Sequence, residues 1–235
     1  MIDESAFIET SLARFAPSTA ALAALCAAVS GIMDFGRGQV LLAEGESSGM
    51  VSLLCKGIAK SYRTLADGHA QTLALFVAGD LLDADAFLLG RASATVSAIT
   101  SVRIALIPHV AFKQAMEQRP EIGWALLRSM ARDRAMLQEW LTGLGRRPAH
   151  ARTTHLICEI STRMGGGARG RTDIPLSQVE LADLLGLSAV HVNRVLQQLR
   201  AEGLIDVARG RLMILDPARL KAIAGFDAAY LTGES

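Results

Sequence analysis

Residues 174–205 read IPLSQVELADLLGLSAVHVNRVLQQLRAEGLI, and their punctuation decides the fold. Ser177 followed three residues later by Glu180 is a capping box, in which each side chain satisfies an orphan backbone donor of the other. Val179, Leu181, Ala182, Leu184 and Leu185 then repeat at helical spacing. Gly186 supplies the permissive residue that ends a helix. Ser188 caps again at once, and Val192, Val195, Leu196 and Leu199 give the next helix an apolar stripe. Two short helices across a glycine turn form the helix-turn-helix pattern, whose second helix enters the DNA major groove. An ordinary αα-hairpin has the same outline. The double cap, the turn glycine and the ending Glu202-Gly203-Leu204-Ile205 before a hairpin favour the DNA reading.

The surrounding chain has 235 residues, enough for two domains with separate cores. Half of it is hydrophobic and aromatics are few. The most apolar run, Ala20–Val29, is about half the length needed to cross a bilayer. No basic segment precedes it, and Asp3, Glu4 and Glu9 are acidic, so neither a signal peptide nor a membrane span is expected. That points to the cytoplasm. Cys26, Cys55 and Cys158 lie far apart without metal or redox spacing, which suits reduced, buried thiols. Residues 1–145 hold twelve basic against fourteen acidic residues, whereas residues 146–235 hold twelve against nine. The small excess has the sign expected of a C-terminal DNA-binding domain.

Upstream, residues 6–30 read as one or two short amphipathic helices with a start at Pro17-Ser18. From Phe35 to Pro108 the texture changes to short apolar runs: Gln39–Leu42, Met50–Leu54, Ile58–Tyr62, Gln71–Val77, Thr95–Ile99 and Arg103–Ile107. Glycines punctuate them at intervals near ten residues, the pattern of an antiparallel barrel or roll. A helix from about Pro120 to Leu144 follows. In it Leu127, Met130, Arg134, Leu137, Leu141 and Leu144 step by three and four, the seam of a coiled coil. Dimerisation through this seam is favoured over packing against the chain's own barrel. Arg134 interrupts the seam, so either contact with the partner is imperfect there or the arginine meets a carboxylate such as Asp133 or Glu139 across the pair. Gly145-Arg146-Arg147-Pro148 breaks the helix as a candidate hinge. Then come a helix over about Ala149–Met164, the glycine-rich loop Gly165–Gly170, and, after the helix-turn-helix, two wing strands flanking Arg209-Gly210. Pro217 starts a last short helix, and Tyr230–Ser235 reads as a frayed tail.

A roll, a long helix and a winged helix-turn-helix, in this order, resemble the CRP/FNR family of bacterial transcription regulators over roughly residues 30–225. The resemblance is strongest over LSQVELADLLGLSAVHVNRVLQQLRAEGLI and clear at the Gly45, Lys56-Gly57, Asp67-Gly68 and Gly79-Asp80 turns. It implies an α+β protein with an N-terminal antiparallel β-roll of the double-stranded jelly-roll type (residues 1–118). A dimerisation helix (119–145) and a C-terminal winged helix-turn-helix (146–225) would follow. It further implies an inverted-repeat operator bound by a homodimer, with double-stranded DNA, a second copy and RNA polymerase as partners. In the family the start of the second helix reads base edges. The matching residues are Ala189, Val190 and Arg194, with His191 and Asn193 between them. Two usual readers, an arginine and a glutamate, are missing. Ala189 and Val190 offer apolar contact, for instance to a thymine methyl, and Arg194 keeps the position for a bidentate contact to guanine. Ser177, Gln178 and Ser188 match backbone-contacting positions, and Arg209 and Arg211 sit at the wing tip. Such contacts position the protein and carry no sequence information.

The effector segment departs from the family. Members that bind cyclic nucleotides carry Gly-Glu-Leu after the Gly-Asp turn and an Arg-Ser/Thr-Ala motif about ten residues later. Here these read Asp83-Ala84-Asp85 and Ala92-Ser93-Ala94. The phosphate's cation is gone and two carboxylates have arrived, so cyclic AMP is not the expected effector, and no cofactor is expected. An iron–sulfur centre lacks its cysteine cluster, because Cys26 stands alone. A haem lacks axial ligands, because Leu81–Arg91 contains no His, Cys or Met and His69 reads as a loop residue. His155, Cys158 and Glu159 share one helix face but lack a fourth metal ligand, which favours packing. The 163–171 loop lacks the Gly-Lys-Ser/Thr ending of a phosphate loop. No catalytic constellation has local support. The alternative to a regulator is a ligand-binding or protein-interaction module with no DNA role.

Overall fold

Pro17 and Ser18 separate two helices, α1 (Glu4–Ala13) and α2 (Thr19–Ala28). Ser18 is extended and its hydroxyl accepts the Ala21 N–H at 3.1 Å, satisfying a donor that a helix start leaves orphaned. The computed structural model describes residues 4–68, 70–166, 173–208 and 211–232. They fall into two compact units whose main boundary lies between Asp133 and Arg134.

In the first unit the apolar runs become strands: β1 (Gly31–Phe35), β2 (Val40–Leu42), β3 (Met50–Lys56), β4 (Ile58–Thr64) and β5 (Ala70–Val77). A helix, α3 (Ala84–Leu89), precedes β6 (Thr95–Ala98) and β7 (Val102–Pro108). Two sheets result, ordered β1-β7-β3 and β2-β6-β4-β5. The β1–β7, β3–β7, β2–β6 and β4–β6 pairings are all antiparallel. Successive side chains on a strand point to opposite faces, and β3 and β7 bury both. Val51, Leu53 and Cys55 with Ala105 and Ile107 join Leu12, Leu25 and Phe112 in one core. Leu54 with Val102 and Ile104 joins Leu42, Ala59 and Val96 in another. Gly57 joins β3 to β4 at φ +87°, where a Cβ would stand 2.3 Å from the Ser101 carbonyl oxygen. Only glycine fits there.

Three elements of the first unit are absent from the sequence reading. β1 begins before Phe35 and leaves Met33 and Asp34 exposed, so it shows no buried alternation. Its register is held instead by β7, where Arg103 grips Asp34 through two 2.8 Å hydrogen bonds. α3 is six residues long, too short for a helical period to show. α4 (His109–Gln118) buries only Phe112 and Ala115 along one narrow face.

α5 (Pro120–Arg146) is one helix of 27 residues, about 40 Å at the standard rise. Its first turns bury Ile122, Ala125 and Leu126 in the core of the first unit. Trp124, Leu127, Leu137 and Leu141 are each more than half exposed. Of the expected seam, Met130 packs against the core, and Arg134 is exposed.

The second unit takes the end of α5 and then α6 (Ala149–Arg163), β8 (Asp173–Ile174), α7 (Gln178–Leu185) and α8 (Ala189–Ala201). After these come β9 (Ile205–Ala208), β10 (Arg211–Ile214), α9 (Pro217–Ala224) and α10 (Ala229–Thr232). β8, β10 and β9 form an antiparallel sheet in that order, with Leu212 opposite both Ile174 and Val207. α6 is buried continuously from Thr153 to Ser161, packed by α7, α8, β8 and α9. Cys158 is buried within it, and burial pushes its thiol up to about 12. The frayed tail is a misreading at Tyr230 and Leu231. Leu231 is buried, and the Tyr230 hydroxyl donates to Glu159 Oε2 at 2.9 Å. His69, residues 167–170 of the glycine-rich loop, and Arg209-Gly210 lie outside the described residues.

Candidate nucleic-acid interface

The Ser177 hydroxyl accepts the Glu180 N–H at 3.3 Å, and Glu180 Oε2 accepts the Ser177 N–H at 2.6 Å. This is the reciprocal cap that the spacing predicts. α7 buries Leu181, Ala182, Leu184 and Leu185. Val179 is exposed, so its apolar side chain does not belong to that stripe. Gly186 adopts φ 58° and ψ 39°, a left-handed conformation, and the N–H groups of Gly186 and Leu187 both return to the Ala182 carbonyl. Ser188 then accepts the His191 N–H at 3.2 Å, starting α8.

α8 turns Val192, Val195, Leu196 and Leu199 inward. Ala189, Val190, His191 and Arg194 face outward, with Val190 at 74% exposure. Val190 and Arg194 are four residues apart and share one face. Asn193 is half-buried. Its Nδ2 donates to Gln178 Oε1 at 2.7 Å, tying α8 to the start of α7. No periodicity signals such a bond, because it depends on two polar residues fifteen apart meeting across the turn. On the wing, Arg211 Nε and Nη2 lie 2.7 and 2.6 Å from Asp173 Oδ2. Arg200 pairs with Asp206 at 3.2 Å. Arg194 has no carboxylate partner among the described residues and so remains a cation available to a ligand. Arg209 lies outside them.

The effector segment is tied into the roll. Asp83 is 2% exposed, and its Oδ1 accepts the Ser52 N–H at 2.8 Å. Burial pushes its carboxyl up to about 6, against the opposing Ser52 hydrogen bonds and with a smaller push from Asp85. Asp85 Oδ2 accepts from both the Ser93 amide and the Ser93 hydroxyl. Ala92 is buried, donates its N–H to the Glu46 carbonyl and accepts from Gly45. Ala84 packs against the helical side of the core. Among the described residues no group of three His, Cys, Asp or Glu side chains is arranged to hold a metal. No described helix is long and apolar enough to cross a membrane.

A family model described as a Crp-like helix-turn-helix domain matches residues 151–223, and one described as a cyclic nucleotide-binding domain matches residues 32–119. The nitrogen fixation regulation protein FixK of Bradyrhizobium diazoefficiens is 27% identical over 194 residues, covering 82% of this chain and 81% of that protein. The CRP-like cAMP-activated global transcriptional regulator of Mycobacterium tuberculosis is 29% identical over 192 residues, covering 80% and 85%. The solved structure of FixK2 from Bradyrhizobium japonicum has a TM-score of 0.72 at 22% identity, over 82% of this chain and 96% of that one. That last likeness is one of fold.

Asp83 gives a pH signature for the roll. A folded-state pKa raised from 3.8 to about 6 contributes stability that is full below pH 3.8 and is lost as pH rises through 6. At 1.36 kcal/mol per unit the loss is about 3 kcal/mol. Asp83→Asn keeps an acceptor for Ser52 and removes the titration. In urea unfolding, the variant should therefore gain on the wild type by up to about 3 kcal/mol between pH 4 and pH 7. A difference that stays constant with pH would contradict the buried-carboxylate account.

Proposed function

We propose that this chain, which belongs to the CRP/FNR family of transcription regulators, binds an inverted-repeat operator as a homodimer. The observation that carries the reading is the outward face of α8. Two serine caps and the Gly186 turn hold this helix, and exposed Arg194 projects from it with no carboxylate partner among the described residues. Arg194 is the base reader, Ala189 and Val190 supply apolar contacts, and His191 stands at the rim of the same face. Ser177, Gln178 and Ser188 approach the DNA backbone. Asn193 braces the pair of helices through Gln178. The wing contacts come from Arg209 and from Arg211, the latter oriented by Asp173. DNA as target places the site of action in the cytoplasm.

The exposed stripe Trp124, Leu127, Leu137 and Leu141 on α5 supports the dimer, because apolar residues at a heptad-like spacing are left without cover. Residues 1–118 then serve as the sensing roll, 119–145 as the dimer helix and 146–225 as the DNA-binding part. The further partner is RNA polymerase, checked by whether added polymerase shifts the operator complex.

The Mycobacterium tuberculosis relative is named as cAMP-activated, but the same effector is not proposed here. Asp83, Ala84, Asp85, Ala92 and Ser93 occupy the contact positions, with the Asp83 carboxylate buried on Ser52 and that of Asp85 hydrogen-bonded to exposed Ser93. A carboxylate about 4 Å from a phosphate repels it by up to ~4 kcal/mol at an effective dielectric of 20. Calorimetry at millimolar cyclic AMP should show no binding heat, and saturation at micromolar nucleotide would overturn this part of the reading.

The DNA reading is tested on an operator selected from random duplex. Arg194→Ala should cost about 1–3 kcal/mol per half-site and relax preference at one base pair in each. Arg209→Ala should weaken all sequences alike and lower the salt slope by about one. Leu137→Asp with Leu141→Asp should give monomers in sedimentation and abolish tight operator binding. An Arg194→Ala protein with unchanged affinity and selected sequence would show that α8 does not read the groove.

A further inference from the structure

Glu159 lies in the middle of α6 with none of its surface exposed. A carboxylate taken out of water is costly unless other donors replace that water. Two segments besides α6 supply them. Trp140 Nε1, from the last turns of α5, donates to both carboxylate oxygens, at 3.2 and 3.1 Å. The Tyr230 hydroxyl, from α10, donates to Oε2 at 2.9 Å. Arg163, one turn further along α6, lies 3.6 Å from Oε1. Burial pushes the carboxyl up, while Arg163, Tyr230 and Trp140 pull it back down. Burial, and then the Glu159 charge, push the Tyr230 phenol up, so it stays an O–H donor.

Aromatic rings close around this centre. His155 stacks on Tyr230 with centroids 6.1 Å apart, and Phe226 meets both rings edge-on. Burial, helped by Arg147 and opposed by Glu139, pushes His155 down to about 4, so its ring is neutral at pH 7. It therefore walls the cluster without adding charge. Glu139 beside it is paired with Arg147 at 2.6 Å. A cluster joining α6 only to α10 would be packing and nothing more. Trp140 changes this, because it sits next to Leu141 on the helix that bears the exposed stripe.

We propose that Tyr230, acting through Glu159, is a positioning residue for DNA binding: it fastens the C-terminal segment and α6 to Trp140, fixing how the winged helix is held on the end of α5. The proposal rests on the dimeric operator reading above, in which that attachment sets the separation of the two α8 helices. Apolar surfaces tolerate sliding, whereas hydrogen bonds weaken steeply off-axis. A buried carboxylate with donors from three segments is satisfied in few arrangements of those segments. One base-pair step is about 3.4 Å, so a small change of attachment appears as a changed preference for half-site spacing.

The full-length chain is tested on its selected operator, on versions with the centre lengthened or shortened by one and two base pairs, and on a single half-site. All measurements are made at a temperature where circular dichroism shows every protein folded. Tyr230→Phe and Trp140→Phe should each weaken the native-spaced operator by about tenfold, the value of one hydrogen bond to a charged group. They should flatten the spacing preference and leave half-site affinity unchanged. Because both act through Glu159, the double variant should show less than the sum of the two effects. Lower thermal stability with an unchanged spacing preference would reduce the cluster to a structural role and overturn the proposal. If Tyr230→Phe does not fold, Trp140→Phe decides alone by the same readout. A wild-type chain that selects no inverted repeat overturns the dimeric reading and the positioning role with it. That outcome is distinct from a wild type that discriminates spacing and variants that discriminate equally well.

Discussion

Gly186 holds φ at 58° and ψ at 39° between two helices that are each capped by a serine. For an L side chain the left-handed region costs roughly 1–2 kcal/mol per residue, and a Cβ there would also stand 3.3 Å from Leu144 Cδ2. The turn therefore favours glycine, and three residues, Gly186 to Ser188, separate the end of α7 from the start of α8. Once that angle is set, Val192, Val195, Leu196 and Leu199 must face the core, and Val190 and Arg194 must face out. The Asn193–Gln178 bond adds a polar tie across the same corner. What the interface presents is thus decided by backbone geometry before any ligand arrives.

The roll shows how a fold can be kept while its chemistry changes. β3 and β7 need apolar residues on both faces, because helices cover one side and the second sheet covers the other. The segment after the Gly79-Asp80 turn is held by β3: Leu82 N–H bonds to the Ser52 carbonyl, and Ser52 N–H to Asp83. Asp83 is thereby part of the framework. Asp85 and Ser93 satisfy one another. Arg132 of α5 reaches Asp80 at 3.4 Å, so the segment's first turn is also linked to the long helix.

Local chemistry made much of this legible in the sequence. The capping box, the Gly186 turn, the apolar runs of the roll and the Pro120 helix start each depend on residues a few positions apart. The elements that sequence reading missed depend on a distant partner or are too short to show a period. β1 is a strand because β7 pairs with it, and α3 is a six-residue helix stopped by Gly90. At the interface, positions were readable but pairings were not. Nothing near Arg211 announces Asp173, 38 residues away. Tyr230 looked like tail because its partner, Glu159, is 71 residues upstream and its own neighbours carry no helical pattern. Glu159 read as a packing position, and nothing near it in sequence announces Trp140 or Tyr230, two of its three donors.

In the proposed complex, two copies of α8, aimed by the Gly186 turn, enter successive major grooves. Chemical footprinting of the full-length chain on its selected duplex tests this most directly. Two patches of major-groove guanine protection should appear, related by a two-fold axis and centred about 34 Å apart, one helical turn. A single protected patch, or protection confined to the minor groove, would contradict it.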